Sequence, residues 1–156
     1  MQGDADVIEA LNEVLTAELT AINQYFIHSR MCRNWGYGNL AKKKYDESIA
    51  RMKDADRVIE RILLLSGVPN MQRLSPVKVG EDPVEQHELD HAAEVAAVAK
   101  LNEFVALASS KADNGSRELL EALVIRHEYA LDWLEAQLHQ VREVGTERYL
   151  AEQIHD

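Results

Sequence analysis

Apolar residues recur along this chain at alternating three- and four-residue steps, the spacing of helices that each bury one stripe against their neighbours. The first stripe reads Ile8, Leu11, Leu15, Glu18, Ile22, Tyr25 and predicts a helix from about Asp6 to Trp35. Asp6 and Glu9 have the spacing of a capping box at its start, and "WGYGN" breaks it. The second stripe, Ser48, Arg51, Ala55, Val58, Ile62, Leu65, predicts a helix from about Asn39 to Leu65. The third, Val84, His87, His91, Glu94, Val98, Leu101, Val105, follows Asp82-Pro83, a cap and then an N1 proline. The fourth, Leu120, Leu123, His127, Ala130, Leu134, Val141, predicts a helix from about Ser116 to Val144 after the break "ADNGS". Gly145 ends it, and Thr146 is placed to cap a short fifth helix.

All three prolines lie in one connection, "SGVPNMQRLSPVKVGEDP". Helices one and two form a hairpin, as do three and four, and this long segment must span the bundle so that the hairpins pair. A plain up-down bundle would need only a short loop there. The expectation is therefore an all-α, ferritin-like four-helix bundle with one long crossover. It forms a single domain over residues 1–156, with the bundle in 1–145 and the short C-terminal helix in 146–156.

Each stripe carries an ionisable group near its middle: Glu18, Arg51, Glu94 and His127. Four such groups at one level must compensate each other or bind something, because an unpaired buried charge is strongly unfavourable. One reading is a polar cluster in which Arg51 bridges Glu18 and Glu94, with His127 beside them. The other is a metal site. Bundles of this type hold two metal ions with a Glu from each of two helices and Glu-x-x-His from each of the other two. Glu18 and Glu94 supply the first half of that pattern, but the second half reads Arg51-x-x-Asp54 and His127-x-x-Ala130. Glu18, Asp54, Glu94 and His127 can form a degenerate site for one ion only if Arg51, a cation that does not deprotonate near neutral pH, swings away.

Helix two also has a second apolar face, Tyr45, Ile49, Met52, Ile59, Leu63, beside Leu19, Asn23 and Phe26 of helix one. Such a face needs covering by another subunit. Methionine packs there, and methionine also ligates haem iron.

Charge and cysteine content narrow the classes. The formal net charge of −10 argues against a nucleic-acid partner, which requires a basic surface. Cys32 is the only cysteine, so no internal disulfide forms and a reducing, cytoplasmic setting fits. The N-terminus carries acids where a signal peptide carries a basic end, and no stretch approaches a membrane span.

The segments "ELTAINQYFIHSRM", "RMKDADRVIERIL", "GVPN", "VGED" and "DWLE", in that order, resemble bacterioferritin through essentially the whole chain. The resemblance implies a hollow shell of 24 subunits storing a ferric mineral, with b-type haem at two-fold interfaces held by one methionine from each subunit. Met52 matches that methionine, and Leu19, Ile22, Asn23, Phe26, Tyr45, Ile49 and Lys53 match the haem surroundings. It also implies a ferroxidase centre of four glutamates and two histidines, and here the chain departs from it. Glu18 and Glu94 match, whereas Arg51, Asp54, His127 and Ala130 replace the other four ligands. The chain is similar to a haem-bearing, ferroxidase-deficient subunit type. Implied partners are a second subunit with an intact centre and a small bacterioferritin-associated ferredoxin that delivers electrons near the haem. A homo-oligomer with a rearranged but active iron-oxidising site, drawing on His91, is the alternative. A DNA-protecting mini-ferritin is disfavoured by the fifth helix and the absence of a basic tail.

Overall fold

The computed structural model describes residues 1–155, which form five helices: α1 (Ala5–Trp35), α2 (Gly38–Leu64), α3 (Pro83–Ser110), α4 (Asn114–Val144) and α5 (Thr146–Ala151). The breaks fall where the breaker residues stand. Gly36 closes α1 at φ +89°, a left-handed conformation that an L-residue resists, and its amide returns to Arg33. Asp82 caps α3 by accepting from the Glu85 amide, with Pro83 at the first helical position.

Three termini differ from expectation. The cap of α1 is Asp4, whose carboxylate accepts from the amides of Asp6 and Val7, so Asp6 lies inside the helix and there is no Asp6–Glu9 box. Helix α4 starts two residues earlier than Ser116, because Asp113 caps it through the Ser116 amide. At α5 the cap position belongs to Gly145 and no side chain caps it, so Thr146 is simply its first residue.

The crossover sets the topology. Its start lies by the beginning of α1, where Asn12 donates to the Val68 carbonyl and accepts from the Asn70 amide. Its end lies by the last third of α1, where the Gly80 amide donates to His28. The segment therefore runs the length of the bundle, α3 starts at the end opposite the end of α2, and the two helices run parallel. That is the ferritin-like arrangement.

The interior is layered. One apolar core, built from Leu11, Leu15, Val58, Ile62, Leu101, Leu120 and Leu123, fills the end where α1 begins. A smaller one, Cys32, Leu40, Ala41 and Tyr149, fills the other end and docks α5. Between them buried polar side chains gather: Glu18, Arg51, Glu94 and His127, then Gln24, His28, Lys44 and Asp90. On α3 the buried position beside Glu94 is Asp90, while the predicted stripe member His91 is half-exposed. A 3.6-residue turn admits either, and Asp90 is the one that finds partners inside.

Candidate functional site: a buried cluster of carboxylates and cations

The four interrupting residues meet, one from each long helix. Arg51 is fully buried, and Glu18, Glu94 and His127 are nearly so. His127 stands between the carboxylates: its Nδ1 donates to Glu94 Oε2 and its Nε2 to Glu18 Oε1, each at 2.6 Å. With both ring nitrogens donating, the ring is an imidazolium. Burial would lower its pKa, but the hydrogen bonds to Glu18 and Glu94 outweigh that and raise it to about 9. Arg51 donates through Nη2 to Glu94 Oε1 at 2.6 Å and through Nε to Glu47 at 2.9 Å. Its Nη1 lies 3.1 Å from His127 Nδ1, and since that nitrogen already donates to Glu94, the contact sets one cation against another.

The expected bridge is thus corrected. His127, not Arg51, joins Glu18 to Glu94, because a flat ring with a donor on each side fits between two carboxylates. Arg51 instead joins Glu94 to Glu47. Tyr25 completes the group, donating to Glu94 Oε1 at 2.7 Å with Arg51 5.4 Å from its ring centre. Burial, reinforced by Glu94, holds the Tyr25 hydroxyl well above its usual pKa. For Glu94, burial would favour the protonated acid, but the His127 hydrogen bond and the Arg51 charge together hold it below the usual carboxylate range. Three carboxylates thus face two cations, with Glu47 the partly exposed one. One atom is left over: Glu18 Oε2 is buried and has no hydrogen-bond partner.

Asp54, the fourth residue of the candidate metal set, is also buried, but it turns to Arg126, whose Nε donates to it at 3.3 Å. Burial raises its pKa despite that pairing. Since both His127 nitrogens are engaged with carboxylates, the candidate ligands do not converge on one point. Among the described residues no cluster of three or more His, Cys, Asp or Glu is arranged to hold a metal ion. His87 and His91 diverge as well. His87 Nε2 pairs with the Tyr149 hydroxyl at 2.8 Å, and His91 with Glu135 at 3.3 Å. Burial lowers the pKa of His87 to about 2.

Toward the α5 end lies a second cluster that the sequence reading missed. Asp90 accepts from Lys44 at 2.7 Å, Gln24 at 2.9 Å and His28 Nδ1 at 3.0 Å. His28 Nε2 accepts the Gly80 amide, so this histidine is the neutral Nδ1–H tautomer. Burial would raise Asp90, but Lys44 and the His28 hydrogen bond hold it far below the usual range. The available signal was the α2 stripe itself, which continues backward from Ser48 to Lys44 with the same four-residue step.

The outer face carries the other candidate set. Met52 is 52% exposed, and Phe26, Tyr45 and Leu63 are about as open. Ile49 is half-buried between them, and Asn23 and Lys53 are exposed. Leu19 and Ile22 are shared with the core, packing partly against it. A soft thioether on half-exposed apolar ground is a donor set that fits haem iron, and each chain offers one.

Comparison with known proteins agrees with the fold. The model of the ferritin-like domain matches residues 8–144. The chain is 45% identical over 152 residues to the bacterioferritin of Mycobacterium leprae, covering 97% of this chain and 96% of that one. It is 44% identical to bacterioferritin BfrA of Mycobacterium tuberculosis (strain H37Rv), with the same coverage. It is 42% identical over 151 residues to the bacterioferritin of Streptomyces coelicolor, covering 97% of this chain and 90% of that one. With a full-length bundle, a spanning crossover and these relatives, the chain belongs to the bacterioferritin family.

Proposed function

We propose that this chain is an iron-storage subunit of a 24-subunit bacterioferritin shell, that it binds b-type haem through Met52, and that it has no dinuclear iron-oxidising centre of its own. The observation that carries the reading is His127 clamped between Glu18 and Glu94 with Arg51 against Glu94. Two cations of the chain stand at the level where such bundles place metal ions. A ferrous ion entering there meets a guanidinium that stays protonated and an imidazolium with a pKa of about 9. At ~4 Å and an effective dielectric of ~20, each repulsion of a divalent ion is of the order of several kcal/mol. The residues hold fixed charge; they do not clamp two metals for oxidation.

On the outer face Met52 would hold the haem iron, with a second methionine from a two-fold mate. Leu19, Ile22, Phe26, Tyr45 and Ile49 would exclude water around it, with Asn23 and Lys53 at the edge. Bound there, the haem would exchange single electrons with the ferric store. A bacterioferritin-associated ferredoxin is the electron donor this implies, and a second subunit with an intact centre is the oxidising partner, all in the cytoplasm. The competing reading, a rearranged oxidising site, draws on one observation, the free oxygen of Glu18.

Stopped-flow oxidation with a few ferrous ions per subunit decides between them. Shells of this chain alone should oxidise iron little faster than buffer, and a fast saturable phase would establish the competing reading. Arg51→Glu, Asp54→His, His127→Glu and Ala130→His together should create a fast phase. Met52→Leu should abolish haem absorbance with assembly intact, because volume is nearly conserved and only the thioether is lost. Retained haem would refute the Met52 assignment.

A further inference from the structure

Helix α5 hangs from α4 by one joint, Gly145, whose φ of +86° and ψ of 154° suit glycine and resist a side chain. Of the six residues of α5 only Tyr149 is buried, set into the small core with Cys32, Leu40 and Ala41. Just beyond, Gln153 accepts twice from the start of α2: its carbonyl from the Asn39 amide at 3.1 Å, its Oε1 from the Asn39 side chain at 2.7 Å.

The hydroxyl end of Tyr149 meets His87, which is fully buried. Tyr149 donates its one hydroxyl proton to Gln137 Oε1 at 2.7 Å, so His87 Nε2, 2.8 Å away, is the donor to the Tyr149 oxygen. His87 is therefore the neutral Nε2–H tautomer, and its bare Nδ1 is buried without a partner. A proton placed there would be a buried charge on an N–H with nothing to bond. The surrounding groups do not compensate it. Lys44 of α2 and Asp90 of α3 are already paired with each other at 2.7 Å, and His28 of α1 donates to the same Asp90. On α4, Trp133 stands edge-on with ring centres 5.5 Å apart, and Lys43 lies 5.4 Å over that ring. Cys32, in the same small core as Tyr149, is a neutral thiol, pushed up to about 11 by burial.

We propose that α5 is an acid-released latch: when His87 takes a proton, Tyr149 gives way and the C-terminal segment swings off about Gly145, while the four long helices stay folded. Docked, His87 is held near pKa 2, chiefly by burial; released, it meets water and returns to an ordinary 6.5. The docked form is thus fully favoured above pH 6.5 and loses about tenfold per pH unit below it. The bundle keeps its larger apolar core, which lies at the opposite end, and His127 stays charged through this window. The latch uses neither Met52 nor a metal, so it stands apart from the haem and iron-oxidation readings.

Hydrogen exchange of the assembled full-length protein, followed by mass spectrometry and corrected for the intrinsic pH dependence of exchange, tests it. Two reporters are local: the Tyr149 amide inside α5, and the Asn39 amide, one of the first four of α2 that its own helix leaves unpaired. Protection at both should fall about 25-fold between pH 7 and pH 5, while amides in the middle of α1 to α4 keep theirs. His87→Gln, which retains a donor but cannot gain a proton, should hold protection level across the same range. Tyr149→Ala should leave α5 and Asn39 unprotected already at pH 7, with the long helices still protected. Constant protection of α5 in the unmodified protein, a fall that persists in His87→Gln, or a fall shared by all five helices would overturn the proposal. So would an α5 that remains protected at pH 7 in Tyr149→Ala.

Discussion

The two buried polar clusters of the bundle, neighbours along its axis, offset the cost of buried charge in different ways. Around Asp90 there is one carboxylate, one lysine and two neutral donors, and each carboxylate oxygen has a partner. Around His127 there are three carboxylates, Glu47 being partly exposed, and two cations that touch each other, and one oxygen is unpaired. The first is closed and depends on a single ion pair. The second has several ion pairs yet is incomplete in hydrogen bonding, and its residues lie behind a cleft between α1 and α3.

The difference should show first in stability. Lys44→Met leaves Asp90 with no cation in contact and should cost about 3–5 kcal/mol in chemical denaturation, the usual penalty for breaking a buried ion pair. Arg51→Met removes one of two cations, and Glu94 still receives bonds from His127 and Tyr25. Its cost should be smaller, about 1–3 kcal/mol. The reverse order would break the comparison.

Next in size is pH. His127 is raised from 6.5 to about 9 in the folded chain, so its contribution is complete below pH 6.5 and is lost as pH rises through 9. The loss should reach about 3 kcal/mol per subunit in urea titrations across that window, and His127→Gln should flatten the slope. Asp90 is shifted down, so its contribution is complete above its unfolded value near 3.8 and is lost only as pH falls below that. Weakening between pH 6.5 and 9 therefore reports the His127 cluster, and a slope that survives there in His127→Gln would assign it elsewhere.

The smallest effect concerns the crossover, which touches both regions. Thr20→Val deprives the Ser75 amide of its acceptor beside the cleft and should cost about 1 kcal/mol. Amide exchange should quicken at Ser75 and not at Gly80, which is held by His28 in the other cluster. Equal quickening at both would mean that the crossover opens as one unit.

The stripes and breakers made the helices, the crossover and the level of the charged residues legible in the sequence, because periodicity and turn chemistry act locally. The pairing within the level was not legible. Whether Arg51 or His127 bridges two carboxylates depends on angles set by four helices at once. Lys44 and Asp90 escaped for another reason: a lysine on a helix usually reads as solvent-facing, and only the partner 46 positions away explains its burial. The exposure of Met52 was legible because its step placed it off the core stripe.

The crossover has neither helix nor strand, yet it is metered. Its amides at Asn70, Ser75, Lys78 and Gly80 dock on Asn12, Thr20, Gln24 and His28, acceptors that climb α1 mostly in four-residue steps. Sixteen helical residues advance ~24 Å, and the ten crossover residues beside them must match that advance, although fully extended they would reach ~34 Å. Gly80 closes the count, since a Cβ there would fall 2.5 Å from the Gln86 backbone nitrogen. Connecting segments ordinarily absorb insertions and deletions. This one behaves as a vernier read against a helix, so its residues can vary in kind far more freely than in number.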